Sequence, residues 1–173
     1  YGLSTLRFGI EKSRNAMTVR LAQDMGLEKM SEIGERTGIY DDLQPFEAMS
    51  LGAGETTPMR MATAYAELVN GGKRVTPVLF DRIQNRYGET IYKSDERACE
   101  ACNADWKPGL EPPQLADPRE QVIDPVTAYQ MVSILEGVVT RGTATSVRAV
   151  GKPVAAKTGT TNDYVDAWTV GFS

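Results

Sequence analysis

Hydrophobic positions return at helical intervals near the start of the chain, where Leu6, Ile10, Met17, Leu21 and Met25 predict a helical segment ending at Gly26. Ser13-Arg14-Asn15 interrupts that pattern with residues that favour caps and turns. A second short helix is predicted over Glu28 to Arg36, closed by Gly38. Leu51-Gly52-Ala53-Gly54 reads as a flexible joint. Thr57-Pro58 then supplies an N-cap and first-turn pair for a helix from Pro58 to Asn70, which stops at Gly71-Gly72. Val78 to Gln84 and Glu89 to Tyr92 predict a hairpin turning at Asn85-Arg86-Tyr87-Gly88. Residues 94–120 lose periodicity, hold both cysteines and four prolines, and read as an irregular surface insertion. Asp124-Pro125 caps a further helix to about Thr140, followed by a helical turn from Thr143 to Ala149. Two strands close the pattern, Val154 to Thr160 and Asp166 to Phe172, joined by a polar turn through Asn162-Asp163. The pattern contains no internal repeat and no sign of a second domain.

Composition narrows the chemistry. The 173 residues suffice for one domain with a core, and the apolar (41 %) and charged (24 %) shares are those of ordinary globular proteins. A net charge of −4 without a long Lys/Arg run argues against nucleic acid as a partner. No run of about 18 apolar residues exists to span a membrane. Histidine is absent, which removes Ser-His-Asp and Cys-His mechanisms. Proton transfer near neutral pH then falls to Lys, Asp, Glu, Tyr or Cys with an adjusted pKa. With two cysteines and no histidine, a four-ligand Cys/His zinc site cannot form, and no cofactor or metal is called for.

Three segments carry candidate chemistry. Lys157-Thr158-Gly159, continued by Thr160-Thr161, lies on a strand where a glycine lets another backbone or a ligand approach closely. A lysine and two hydroxyls beside it make a pocket for a carboxylate. Ser13-Arg14-Asn15 sits on the helical break, where a serine can relay a proton and an asparagine can bond both faces of a peptide group. The third is the run from Leu51 to Gly72. Each alone is ordinary: a solvated surface lysine, a helix cap, a capped core helix.

Their order is not ordinary. S-x-N at Ser13 comes first, then L-G-x-x-E-T-T-P-x-R-M-A-x-A-Y-A-x-x-x-N-G-G from Leu51. K-T-G-T-T-N-D-Y-x-D-A-W-x-x-G-F from Lys157 comes last. Together they resemble the transpeptidase domain of class A penicillin-binding proteins. Val138-Val139-Thr140-Arg141-Gly142-Thr143-Ala144 extends the likeness, which covers nearly all of the chain outside 94–120. The resemblance implies a penicillin-binding and serine β-lactamase-like α+β (α/β) fold, with helices packed on an antiparallel sheet and present here in part. It implies a peptidoglycan D,D-transpeptidase that cross-links stem peptides through a serine acyl-enzyme and is acylated by β-lactams. Ser13, Asn15 and Lys157 take catalytic roles by that resemblance: proton relay, orientation of the donor amide, and polarisation of Ser13. Thr158, Gly159 and Thr160 take the substrate-binding role, the two hydroxyls holding the terminal carboxylate and the Thr160 N–H forming half of an oxyanion hole.

The sequence departs from the family pattern in one respect. No serine is followed three residues later by lysine, so the S-x-x-K nucleophile motif is absent. The expectation is that residues 1–173 are a partial transpeptidase domain, inactive alone, cut from a longer bifunctional protein. The nucleophile segment, a glycosyltransferase domain and an N-terminal membrane helix would lie upstream. The site would face the periplasm, with stem peptides of lipid-linked glycan strands and β-lactams as partners. Cys99 and Cys102 have redox-motif spacing without a βαβ setting. An extracytoplasmic location favours a local disulfide, with a metal clip shared with another chain as the alternative. Two further functions stay open: a serine β-lactamase or D,D-carboxypeptidase relative, and a non-catalytic binding module.

Overall fold

The computed structural model describes residues 2–99, 102, 104–105 and 107–173. It forms two compact units, one from Tyr1–Val75 with Glu120–Ser173 and one from Thr76–Arg119. The second unit therefore starts well before the insertion read from the sequence at 94–120.

The larger unit contains helices α1 (Leu6–Glu11), α2 (Asn15–Met25), α3 (Leu27–Arg36), α4 (Pro58–Val69) and α5 (Pro125–Thr140). Its two long strands, β3 (Ala155–Thr160) and β4 (Ala167–Phe172), pair antiparallel with Lys157 opposite Val170 and Gly159 opposite Trp168. The short strands β1 (Arg82–Gln84) and β2 (Thr90–Lys93) belong to the other unit. Helix starts follow their caps. Thr57 Oγ1 accepts from the Arg60 N–H at 3.2 Å and Asp124 Oδ1 from the Thr127 N–H at 2.9 Å, each with proline at the first helical position.

Helix α5 is the centre of the larger unit. It packs against α1, α4 and β3, and its Leu135, Val138 and Val139 close over Ala155 and Ala156 of β3. Ile10 of α1, Tyr65 and Leu68 of α4, and Phe172 of β4 complete the cluster. Burying side chains of this kind contributes roughly 1.5–3 kcal/mol each, which holds the strand pair against the helices. The expected helices on an antiparallel sheet are thus present. The outer strand is barely covered, with Trp168 56 % exposed.

One local reading is revised. The segment Leu51–Gly54 is no flexible joint: it follows a 3₁₀ turn (Glu47–Leu51), and the Tyr40 hydroxyl donates to the Gly54 carbonyl at 3.2 Å. A Cβ on Gly54 would lie 2.8 Å from the Tyr40 ring, so the glycine is there to let the ring in. Glu67 sits within the Pro58–Val69 helix with no exposed surface. Its Oε1 accepts the Val75 N–H at 3.1 Å and lies 3.7 Å from Arg74, while its Oε2 has no partner among the described residues.

Gly72 explains why Val75 lies there. Its φ is +85°, and a Cβ would meet the Ile123 carbonyl oxygen at 2.0 Å. Its own carbonyl accepts the N–H groups of Val122 and Ile123, at 2.8 and 3.0 Å, so the departing and returning chains cross there.

In the smaller unit the hairpin turn is held by Asn85 Oδ1, which accepts from the N–H groups of Tyr87 (2.9 Å) and Glu89 (3.1 Å). The Phe80 and Tyr92 rings meet edge to face at 5.5 Å. Cys99 and Cys102 form a disulfide with Cα atoms 5.3 Å apart, which resolves the alternatives in favour of the local bridge.

Desolvation raises the Glu67 pKa above its ordinary 4.5, partly offset by the Val75 N–H and the Arg74 charge. The folded state therefore binds the proton more tightly than the unfolded chain. This stabilisation is fully present below about 4.5 and is lost as pH rises through the folded-state value. Glu67→Gln keeps the acceptor for Val75 and cannot ionise. Its stability relative to wild type, from denaturant melts at pH 5 to 8, is expected to rise with pH. A difference flat across that range would refute the assignment.

Candidate active site

Ser13 stands where helix α1 ends. The Ser13 N–H returns to the Ile10 carbonyl (3.1 Å) and the Arg14 N–H to the Gly9 carbonyl (2.8 Å), a helix-ending turn whose extra residue is usually glycine. Here that residue is a serine with φ +50°. The left-handed backbone costs a side-chain-bearing residue about 1–2 kcal/mol. It ends α1 and lets α2 begin at Asn15. Asn15 is exposed, and its side chain makes no hydrogen bond among the described residues.

The hydroxyl meets a lysine from the far end of the chain. Lys157 Nζ donates to Ser13 Oγ at 2.9 Å and to the Thr158 carbonyl at 2.7 Å. Lys157 is half-buried on β3, and desolvation lowers its pKa below the ordinary 10.5. No carboxylate among the described residues forms an ion pair with it. A cation in this setting yields its proton more readily than a solvated lysine.

Strand alternation puts Thr158 and Thr160 on one face and Lys157 and Gly159 on the other. Thr158 Oγ1 is 2.7 Å from Thr143 Oγ1. A Cβ built on Gly159 meets nothing within 4 Å, so the strand is open to a ligand there. The structure thus brings Ser13 and Lys157 into direct contact. Thr158, Gly159 and Thr160 follow along the same strand, and Asn15 lies two residues beyond Ser13.

What holds α1 beside β3 was not read from the sequence. Glu11, only 4 % exposed, receives two hydrogen bonds from Arg141, at 2.9 Å to Oε2 and 2.5 Å to Oε1. Lys12 Nζ donates to the Arg141 carbonyl (2.5 Å), the Thr143 N–H to the Glu11 carbonyl (3.2 Å), and Arg7 to the Ser133 carbonyl (3.0 Å). Gly137 makes room for this, since a Cβ would come within 2.0 Å of Glu11 Oε1. The available signal was the charge of Glu11 beside Ser13 and of Arg141 before the glycine of R-G-T. Their pairing across 130 residues leaves no local trace.

By fold, the chain is of the penicillin-binding transpeptidase class. Penicillin-binding protein 1A from Haemophilus influenzae, in its crystal structure, matches 96 % of the chain and 28 % of its own, with TM-score 0.79 and 29 % identity. Penicillin-binding protein A from M. tuberculosis, as an imipenem acyl-enzyme complex, shares the fold at TM-score 0.69 and 19 % identity, over 98 % of this chain and 38 % of its own. The family model of the penicillin binding protein transpeptidase domain matches residues 1–173, and the chain belongs to that family. Penicillin-binding protein 1A of Rickettsia bellii is 44 % identical over 99 % of this chain, which spans 22 % of that relative's length.

The strain at Ser13 is measurable. Ser13→Gly is expected to stabilise the fold by about 0.5–1 kcal/mol by relieving the left-handed backbone, whereas Ser13→Ala keeps the strain and loses the lysine contact. Thermal unfolding of the three proteins should rank Gly above wild type and wild type above Ala. A glycine variant melting below wild type would contradict it.

Proposed function

We propose that this segment forms the second and third motifs of a serine-type peptidoglycan D,D-transpeptidase. The carrying observation is the 2.9 Å hydrogen bond from Lys157 to Ser13, which joins S-x-N to K-T-G across 144 residues. Family membership and the fold support the reading.

In the proposed reaction a serine of an S-x-x-K motif, carried elsewhere in a longer protein, attacks the carbonyl of a D-Ala-D-Ala stem peptide. Its proton passes through the Ser13 hydroxyl to the leaving D-alanine amine. Lys157 polarises Ser13, and its lowered pKa lets it exchange protons with the hydroxyl. Asn15 orients the donor amide. Thr158 and Thr160 take the terminal carboxylate, and Gly159 leaves the Lys157 face of the strand open to the rest of the substrate. The Thr160 N–H supplies half of the oxyanion hole, a contribution of roughly 3–4 kcal/mol to barrier lowering. The amine of a second stem peptide then takes the acyl group and frees the serine. β-Lactams enter by the same route and remain as acyl-enzyme.

The resemblance to class A penicillin-binding proteins extends the proposal to a bifunctional protein with a glycosyltransferase domain, anchored in the membrane and acting at its periplasmic face. No helix among the described residues is long and apolar enough to cross a membrane. Its substrates would be stem peptides on lipid-linked glycan strands.

Intact-mass spectrometry with benzylpenicillin tests the reading. Residues 1–173 alone should gain no covalent adduct, and a longer protein that also carries S-x-x-K should gain one. In that longer protein Lys157→Ala should slow acylation by about 10²–10⁴-fold, the range of general acid–base catalysis. An adduct on residues 1–173 alone would show that the nucleophile had been misassigned. A Lys157→Ala variant acylated at the wild-type rate would remove Lys157 from the mechanism.

A further inference from the structure

We infer that Thr143, which lies outside the three motifs, is a positioning residue that sets ligand preference by orienting the Thr158 hydroxyl toward a bound carboxylate. The inference rests on the reading of Thr158 as a carboxylate-binding group.

Thr143 is held in place by its backbone. Its N–H donates to the Glu11 carbonyl at 3.2 Å, and a Cβ on the preceding Gly142 would lie 2.4 Å from that carbonyl and 2.6 Å from the Val138 Cα. Helix α1 and the end of α5 thus leave the segment little freedom. From there Thr143 Oγ1 reaches Thr158 Oγ1 at 2.7 Å, the side-chain hydrogen bond that Thr158 makes among the described residues.

The polarity of that bond follows from the ligand. A hydroxyl has one proton and two acceptor sites. A carboxylate only accepts, so Thr158 must spend its proton on it, and the bond to Thr143 must then run from Thr143 to Thr158. A donor already pointed at Thr158 leaves its proton no other side-chain partner among the described residues and frees it for a ligand on the Thr158 face of the strand. Donation from Thr143 also makes the Thr158 proton more acidic, since hydrogen bonds in series polarise one another. Both effects favour an anion over a neutral group, because a hydrogen bond to a charged acceptor is roughly twice as strong as a neutral one. Thr143 therefore acts through Thr158 without touching the ligand.

The test uses a full-length transpeptidase carrying this segment together with S-x-x-K, and compares acylation rate constants for benzylpenicillin and its methyl ester. Wild type should favour the acid. Thr143→Val should lower the rate for the acid by about tenfold and that for the ester by less than about threefold, while Thr143→Ser keeps the wild-type ratio. The ratio is taken on one protein sample, so partial loss of folded enzyme cancels. A wild-type preference that Thr143→Val leaves intact, or that Thr143→Ser abolishes equally, overturns the role of Thr143 alone. A wild type without preference for the acid overturns the carboxylate reading and this inference with it.

Discussion

The ion pair between Glu11 and Arg141 is the interaction on which the candidate site depends. It is asymmetric: the carboxylate is buried while the guanidinium remains largely exposed. The arrangement is costly to break from the arginine side, because a buried carboxylate that loses both Arg141 hydrogen bonds keeps its desolvation cost with only the Arg7 guanidinium, 3.6 Å away, to offset it. The pair fixes the end of α1 against the end of α5, and β3 packs along the same α5. Position is thus passed from one helix to both halves of the site. The lysine-to-serine contact follows from two elements docked on a common support, with no direct packing of α1 on β3 needed.

Under the proposed function, support of this kind lets a chain without histidine arrange proton transfer. A lysine whose pKa is lowered by burial acts on a partner only within hydrogen-bond reach, and Ser13 stands there at 2.9 Å with its backbone in the left-handed region. Strain at the serine, burial of the lysine and the stitch between α1 and α5 act on one geometry. Relaxing any of them leaves the functional groups present and misplaced, and in catalysis a small misplacement costs much of the rate.

Much of this was legible in the sequence where the signal is local. Thr57-Pro58 and Asp124-Pro125 announced their helices, Gly26 its stop, and Ser13-Arg14-Asn15 a break that the structure turns into two helices. The family to which Lys157-Thr158-Gly159 points was legible because order along the chain carries it. Features set by partners distant in sequence were not. Glu67 is buried with its Oε1 accepting the Val75 N–H, an environment no local pattern marks. Gly52 and Gly54 suggest freedom, yet the Tyr40 ring fills the space that Gly54 leaves. The placement of Arg141 and Thr143 depends on Glu11, which no pattern of period two or 3.6 can connect to them.

The crossing at Gly72 has a consequence for how such a domain changes over generations. Arg74 and Glu120 are joined by a backbone hydrogen bond of 2.8 Å, so residues 76–119 leave and rejoin the larger unit at a single point. The entropy of closing such an excursion grows only with the logarithm of its length. Segments can be gained, lost or exchanged there while the register of β3 and the end of α1 remain untouched. The root at Gly72 thus separates a part of the sequence free to diversify from a part bound to its geometry.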